Sequence, residues 1–146
     1  MEDVRDIESD DEISITTKEE LIKARLGQGK FRKDLIEIWK KCAISEFDVI
    51  EILVASHILP WRNSTNEERL NPYNGLLLKP DYDKLFDKGL ISFNDDGKII
   101  LSNKLNKKQF EQLGITSESR LCKINIEIVP FLVRHRKIFN EVLYGN

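Results

Sequence analysis

Residues 54–89 read V-A-S-H-I-L-P-W-R-N-S-T-N-E-E-R-L-N-P-Y-N-G-L-L-L-K-P-D-Y-D-K-L-F-D-K-G. Two apolar runs, residues 52–58 and residues 75–78, are rich in β-branched or aliphatic side chains, and a proline stands two residues after each of them. These features predict two short strands. Asp81 is a suitable N-cap and the following K-G pair is a suitable helix end, so residues 82–88 are predicted to form a short helix. The stretch therefore predicts two strands followed by one helix.

Polar side chains fall at defined places in this unit. His57 lies near the end of the first strand, and Asn74 directly precedes the second. Asp83 and Asp87 lie one turn apart on the helix and share a face. A neutral imidazole can take a proton from water near pH 7, an amide can hold that imidazole in place, and carboxylate oxygens suit Mg²⁺. These are the residue types that metal-dependent hydrolysis of a phosphodiester requires.

The segments S-H-I-L-P-W, N-G-L-L-L and D-K-L-F-D-K-G together resemble the HNH endonucleases, whose active site is a ββα-metal unit. His57 matches the first histidine of that family and Asn74 the central asparagine. Asp83 matches the third position, which is often histidine, so the chain resembles an H-N-D variant. Asp87 matches a position where some members place a further metal-site residue. The resemblance implies an α+β fold, with a ββα-metal core, flanking helices and a β-hairpin.

The resemblance also implies a function. It predicts a metal-dependent endonuclease that hydrolyses phosphodiester bonds in DNA, of the kind found in bacterial or phage restriction and defence. His57 would act as the general base, and Asn74 would position the histidine loop. Asp83 and Asp87 would hold a divalent ion, with Mg²⁺ expected first and Mn²⁺ or another ion as the alternative.

One position departs from the family pattern. Many members carry Asp, Glu or His directly before the first histidine as a metal ligand, whereas this chain has Ser56. A hydroxyl is a poorer ligand than a carboxylate or an imidazole, so metal affinity is expected to fall. Two alternatives therefore stay open. One is a non-catalytic or partner-dependent DNA-binding module that keeps the fold, and the other is a nuclease directed at RNA.

The charge is unevenly distributed along the chain. Residues 1–20 hold nine acidic and two basic side chains, while the whole chain carries a net charge of −2, so the rest of the chain is basic. The acidic tail of residues 1–20 is predicted to be disordered, either as a solubilising leader or as a competitor of DNA. Candidate phosphate contacts in the basic part are Arg62, Lys79, Arg25, Lys30 and Arg32.

Length and hydropathy set the outer bounds. A chain of 146 residues with 40% hydrophobic side chains can bury one core, so residues 21–146 are predicted to form a single nuclease domain. No apolar run approaches the roughly 20 residues of a membrane span, and the acidic start does not resemble a signal peptide, which predicts a cytoplasmic protein without membrane contact. No helix-turn-helix or zinc finger is recognisable. Targeting is therefore expected to be weak or to come from a partner protein, and double-strand cleavage would need a homodimer or two encounters.

The remaining patterns predict elements around this core. They are an amphipathic helix over residues 30–41 after a glycine-bearing turn, a polar loop over 62–73, a hairpin of residues 90–93 and 98–101, a helix over 106–113, and a final helix with Pro130 in its first turn. His135 lies on that final helix between two arginines and is predicted to have a capping or packing role.

Overall fold

The computed structural model describes residues 15–145. Its helices and strands are, in chain order, α1 (Ile15–Trp39), β1 (Val54–His57), α2 (Asn66–Leu70), β2 (Gly75–Leu78), α3 (Pro80–Asp87), β3 (Ile91–Phe93), β4 (Ile99–Leu101), α4 (Lys107–Gln112), α5 (Val129–Ile138) and α6 (Asn140–Tyr144). Short 3₁₀ turns at Ile50–Ile52, Trp61–Asn63, Pro72–Asn74 and Ile126–Ile128 join some of them. The α+β fold class is confirmed, with two small antiparallel sheets among the helices.

The first sheet is the pair of strands that the opening stretch predicts. β1 and β2 are antiparallel, with Ala55 opposite Leu77 and His57 opposite Gly75. All four residues of β2 are buried, because α1 packs against both strands and α3 packs against β1. β1 is shorter than the predicted run over 52–58, because the chain forms a 3₁₀ turn at Ile50–Ile52 before it enters the strand.

Helix α3 follows β2 directly. It begins at Pro80, and its N-cap is Lys79, so the prediction that Asp81 caps the helix is wrong. Proline at the first helical position needs no hydrogen-bond partner, which lets the helix start earlier. Tyr82, Leu85 and Phe86 are the buried residues of the helix. Asp83 and Asp87 are not among these buried residues, and both side chains line the groove described below.

Helix α1 is much longer than the predicted segment of residues 30–41 and includes both glycines that had suggested a turn. Leu70 of α2 lies close to Gly27, since a Cβ at this position would be 2.5 Å from Cδ2 of Leu70. The helix begins at Ile15, inside the range assigned to the acidic tail. Residues 1–14 of that tail lie outside the described residues, so its disorder and the domain boundary stay predictions.

The predicted hairpin is confirmed as β3 and β4, and Gly97 takes the positive φ of +90° in its turn. The loop over 62–73 contains a helix that was not predicted, α2, whose N-terminus is closed by a capping box between Thr65 and Glu68. In the final part of the chain, Pro130 lies in the first turn of α5, as predicted.

His135 packs that helix onto the core. Its ring is buried and stacks on Phe86 at 4.0 Å, and its nitrogens bond to Ser92 Oγ at 2.8 Å and to the Phe86 carbonyl at 3.0 Å. This is the packing role that the sequence suggested. In the described part of the chain, no helix combines the length and the hydropathy needed to cross a membrane.

Candidate active site

A groove of about 1180 Å³ runs along β1, with residues of α1 on one side and residues of α3 on the other. Three of the side chains expected to carry the chemistry line it together: His57, Asp83 and Asp87. Ser56, which stands where many HNH endonucleases have a metal ligand, also lines the groove. The strand and the helix thus bring the predicted base and both predicted metal ligands to one surface, as the ββα arrangement requires.

His57 is fixed by three neighbours. Its ring stacks on Phe31 of α1 with 3.9 Å between centroids and 1° between planes, and the Trp61 ring meets it edge-on at 5.8 Å. Its Nε2 lies 2.8 Å from the carbonyl oxygen of Arg69. Since a carbonyl only accepts hydrogen bonds, Nε2 carries the proton and donates it, which leaves the lone pair of the neutral ring on Nδ1.

Burial determines the protonation of this histidine. It lowers the pKa of His57 from 6.5 to about 4, and the hydrogen bond to Arg69 offsets only part of that effect. The imidazole is therefore neutral at pH 7 and is available as a proton acceptor through Nδ1.

Asn74 is wholly buried and does not line the groove. Its Oδ1 accepts a hydrogen bond from the Leu59 amide at 2.9 Å, and its Nδ2 donates to the Glu68 carbonyl at 3.1 Å and to Ser64 Oγ at 3.3 Å. The Asn74 side chain therefore connects the start of the segment between β1 and β2, at Leu59, to the α2 helix, at Glu68. This geometry fits a residue that positions His57, and Asn74 would not itself touch a substrate.

Asp83 is half-buried and is held by Ser56. Burial raises the pKa of the Asp83 carboxyl, a hydrogen bond from the Ser56 hydroxyl lowers it, and the nearby charge of Asp87 raises it again. The net shift is upward. The charge of Asp87 beside the Asp83 carboxyl makes this part of the groove a place where a cation would relieve repulsion.

The donor set determines which ion would fit. Within residues 15–145, no cluster of three or more His, Cys, Asp or Glu side chains is close enough to hold a metal. A closed zinc cage of four protein ligands therefore has no counterpart in the described structure. Mg²⁺ keeps several waters and is commonly held by one or two carboxylates together with substrate phosphate, which is the kind of set that Asp83 and Asp87 supply.

The predicted phosphate contacts divide into two groups. Arg25, Arg32 and Arg62 line the groove, whereas Lys30 and Lys79 do not. Lys30 pairs with Asp34 at 2.7 Å, and Lys79 lies over the Tyr82 ring at 4.4 Å. Arg32 also has a structural role, since its guanidinium donates to the carbonyls of Leu53 at 2.5 Å and Ile50 at 2.9 Å.

Sequence reasoning missed several residues of the groove. Lys84 and Lys88 follow the two aspartates directly in sequence, and both line the groove. On α1, Gln28 and Gly29 line it together with Arg25 and Arg32. The spacing of this stripe, at i, i+3, i+4 and i+7, is the signal that could have identified it as one helix face.

Comparison with known protein families gives one match. Residues 42–94 match a family model described as HNH endonuclease. This segment contains the first sheet, α2 and α3, and with them His57, Asn74 and both aspartates. Helix α1, which supplies Phe31 and one side of the groove, lies outside it. No curated protein matches the chain.

Proposed function

We propose that this chain, whose residues 42–94 match the HNH endonuclease family model, is a metal-dependent endonuclease that hydrolyses phosphodiester bonds in DNA. The observation that carries the proposal is the shared groove, in which a neutral His57 faces the same space as Asp83 and Asp87. A role in bacterial or phage restriction or defence, in the cytoplasm, is part of the proposal.

His57 acts as the general base. Its Nδ1 takes a proton from a water molecule, whose oxygen attacks the phosphorus while the P–O3′ bond breaks and O3′ leaves with the bonding electron pair. Nε2 stays bonded to the Arg69 carbonyl, so that the ring does not turn. The anionic phosphate in the groove favours the protonated ring and so raises the basicity of His57 when substrate is bound. Asn74 keeps the segment that carries the Arg69 carbonyl in place.

Asp83 and Asp87 would hold the divalent ion, with Mg²⁺ as the expected species. When bound, the ion supplies charge neutralisation at the scissile phosphate and at the leaving oxygen. Ser56 fixes the Asp83 carboxylate by its hydrogen bond and takes the place of the family's usual ligand without coordinating. The resemblance to HNH enzymes implies products with 5′-phosphate and 3′-hydroxyl ends.

Four cationic side chains that line the groove would hold the flanking phosphates. Arg25, Arg62, Lys84 and Lys88 all line it, and each can neutralise a phosphate charge. With a single copy of each catalytic group, one molecule would cut one strand in each encounter. Double-strand cleavage would then need a second copy or a targeting partner.

A second candidate function is a DNA-binding module without turnover. The observation that favours it is the small ligand set, since Ser56 replaces an expected metal ligand and no three-ligand cluster lies within residues 15–145. Such a protein would bind DNA through the same cations but would show no metal-dependent cleavage.

The test is cleavage of supercoiled plasmid in Mg²⁺ or Mn²⁺, with EDTA as a control, by the wild type and by His57→Ala, Asp83→Asn and Asp81→Asn. Asp81 is the matched control for Asp83, because it lies on the same helix but faces Lys79 at 3.9 Å and does not line the groove. Circular dichroism checks that all variants fold.

The proposal expects wild type and Asp81→Asn to nick the plasmid, and EDTA, His57→Ala and Asp83→Asn to stop the reaction. A folded wild type that binds the plasmid but leaves it intact with both metals would favour the binding module. Cleavage of an RNA of the same sequence in place of DNA would identify an RNA-directed nuclease.

A further inference from the structure

Gln28 is a buried polar side chain whose amide has no partner within the described structure. The residue is 5% exposed, and neither Nε2 nor Oε1 hydrogen-bonds to any described residue. Buried amides are nearly always paired, because an unpaired donor or acceptor loses its bonds to water and gains nothing in return. An amide left unpaired at both its nitrogen and its oxygen therefore indicates a partner outside residues 15–145.

The place of Gln28 indicates where that partner lies. The side chain lines the groove that His57, Asp83 and Asp87 share, on the α1 face that also carries Arg25 and Arg32. The next residue, Gly29, also lines the groove, and a Cβ built there would meet no atom within 4 Å. The helix backbone beside Gln28 is therefore open to close approach by a ligand.

The chemistry of the amide restricts the kind of partner. Nε2 needs an acceptor and Oε1 needs a donor, whereas a phosphate only accepts and would leave Oε1 unpaired. The edge of a base can supply both. In duplex DNA, adenine presents an acceptor and a donor side by side at N7 and N6 in the major groove, and guanine presents N3 and N2 in the minor groove.

We propose that Gln28 hydrogen-bonds the edge of a purine close to the scissile phosphate, and so gives this protein a base preference at one position. The inference rests on the proposed function, because it assumes that the groove binds nucleic acid. It assigns base recognition to α1, outside the segment that matches the HNH family.

The first experiment maps the ends produced from a pool of randomised duplexes by wild type, Gln28→Leu and Gln112→Leu. Leucine removes both polar atoms of Gln28 while keeping much of its volume. Gln112 is the matched control, since it is an exposed glutamine at the end of α4 and does not line the groove. Wild type and Gln112→Leu should favour one purine at a fixed distance from the cut by about tenfold or more, as expected for one bidentate amide contact, and Gln28→Leu should lose that preference.

The second experiment measures binding in EDTA, without turnover, by fluorescence anisotropy. The probes are a short duplex and two analogues, in which 7-deazaadenine replaces adenine or inosine replaces guanine. One analogue should weaken binding to the wild type by about tenfold, because it lacks N7 or N2, and should leave binding to Gln28→Leu unchanged. Thermal unfolding confirms that the variant folds.

The outcomes separate this inference from the proposed function. Cleavage with the same base distribution for wild type and Gln28→Leu, together with equal binding of all probes, would overturn the inference and leave the nuclease function intact. Analogue-sensitive binding that requires Gln28, in a protein that cuts no substrate, would support the inference and reject the nuclease function. A wild type that binds none of the duplexes would overturn the inference.

Discussion

His57 and Asn74 hydrogen-bond to two consecutive carbonyls at the end of α2. His57 Nε2 lies 2.8 Å from the Arg69 oxygen, and Asn74 Nδ2 lies 3.1 Å from the Glu68 oxygen. The predicted base and the predicted positioning residue are thus connected through a helix of five residues. Any change that releases Asn74 should therefore move the carbonyl that fixes the His57 ring.

Asn74→Ala should lower both stability and activity. It leaves the Leu59 amide and the Glu68 carbonyl without their buried partner, which should reduce the free energy of unfolding by roughly 2–4 kcal/mol. A base displaced by about 1 Å should reduce kcat about 100-fold. Urea unfolding and single-turnover cleavage measure the two effects. Asn63→Ala, at an exposed asparagine in the same segment, should change neither, and wild-type kcat in folded Asn74→Ala would contradict the role assigned to Asn74.

The pH dependence of cleavage should show the low pKa of His57. Because kcat/KM reports groups of the free enzyme, the acid limb that belongs to this base should lie near pH 4, where the buried imidazole takes up its proton. The base is active when neutral, so kcat/KM should be nearly constant between pH 5.5 and 7.5, a range chosen to bracket the ordinary histidine pKa of about 6.5. A midpoint close to 6.5 would show that His57 is solvated in the free protein.

Stability should fall as the pH falls from 6.5 towards 4. His57 and His135 each have a pKa lowered to about 4 by burial, so the unfolded chain binds more protons than the folded one over this range. Each histidine should contribute up to about 3 kcal/mol above pH 6.5, which is lost on acidification. Urea unfolding at several pH values measures the slope. His135→Gln should remove the contribution of one histidine to the slope of unfolding free energy against pH. An unchanged slope would contradict the lowered pKa of His135.

Ser56→Asp should create a stronger metal site. The new carboxylate would face Asp83, whose pKa burial and Asp87 already raise, so the variant should be less stable than wild type in EDTA. A saturating divalent ion should then restore about 2–3 kcal/mol, as expected for a ligand at roughly 100 times its dissociation constant. Thermal unfolding with and without Mn²⁺ measures this gain. The double variant Ser56→Asp/Asp83→Asn should show a much smaller gain, and an equal gain would place the ion elsewhere.

Gly75→Ala should disturb the base through its stacking partner. A Cβ at Gly75 would lie 2.5 Å from Cζ of Phe31, the ring that stacks on His57. The variant should lose about 1–3 kcal/mol of stability through overpacking and should also cleave more slowly. Gly29→Ala is the control for stability, because its Cβ meets nothing within 4 Å and alanine favours the helix by about 0.5–1 kcal/mol. Equal unfolding midpoints for the two variants would contradict this packing argument.

The core of the fold could be predicted because its signals are local. The two apolar runs, their flanking prolines and the spacing of Asp83 and Asp87 all fall within residues 52–89, and the structure places β1, β2 and α3 there. Helix α2 was missed although its capping box, Thr65 to Glu68, can be recognised from the sequence. The density of polar residues in that segment favoured a loop instead.

Other features depend on contacts between distant residues. From the sequence alone, Gly27 suggests a turn, but in the structure it lies within α1 and Leu70 packs against it. The neighbouring sequence gives no sign of that contact. Lys79 and Lys84 are both lysines near the motif, yet only Lys84 lines the groove, because Lys79 precedes α3 as its N-cap and lies over the Tyr82 ring. Gln28 was overlooked because glutamine is usually exposed, and its burial arises from the packing of α1.

The stacking of Phe31 on His57 also limits how far the proposed catalytic unit can be transferred to another protein. A graft of residues 42–94 into another protein would transfer the histidine, the asparagine and both aspartates but would leave behind the aromatic ring against which the imidazole lies. The smallest portable unit therefore includes α1 up to Trp39. A recipient scaffold that lacks an equivalent ring would receive the proposed catalytic residues without the aromatic side chain that orients the His57 imidazole.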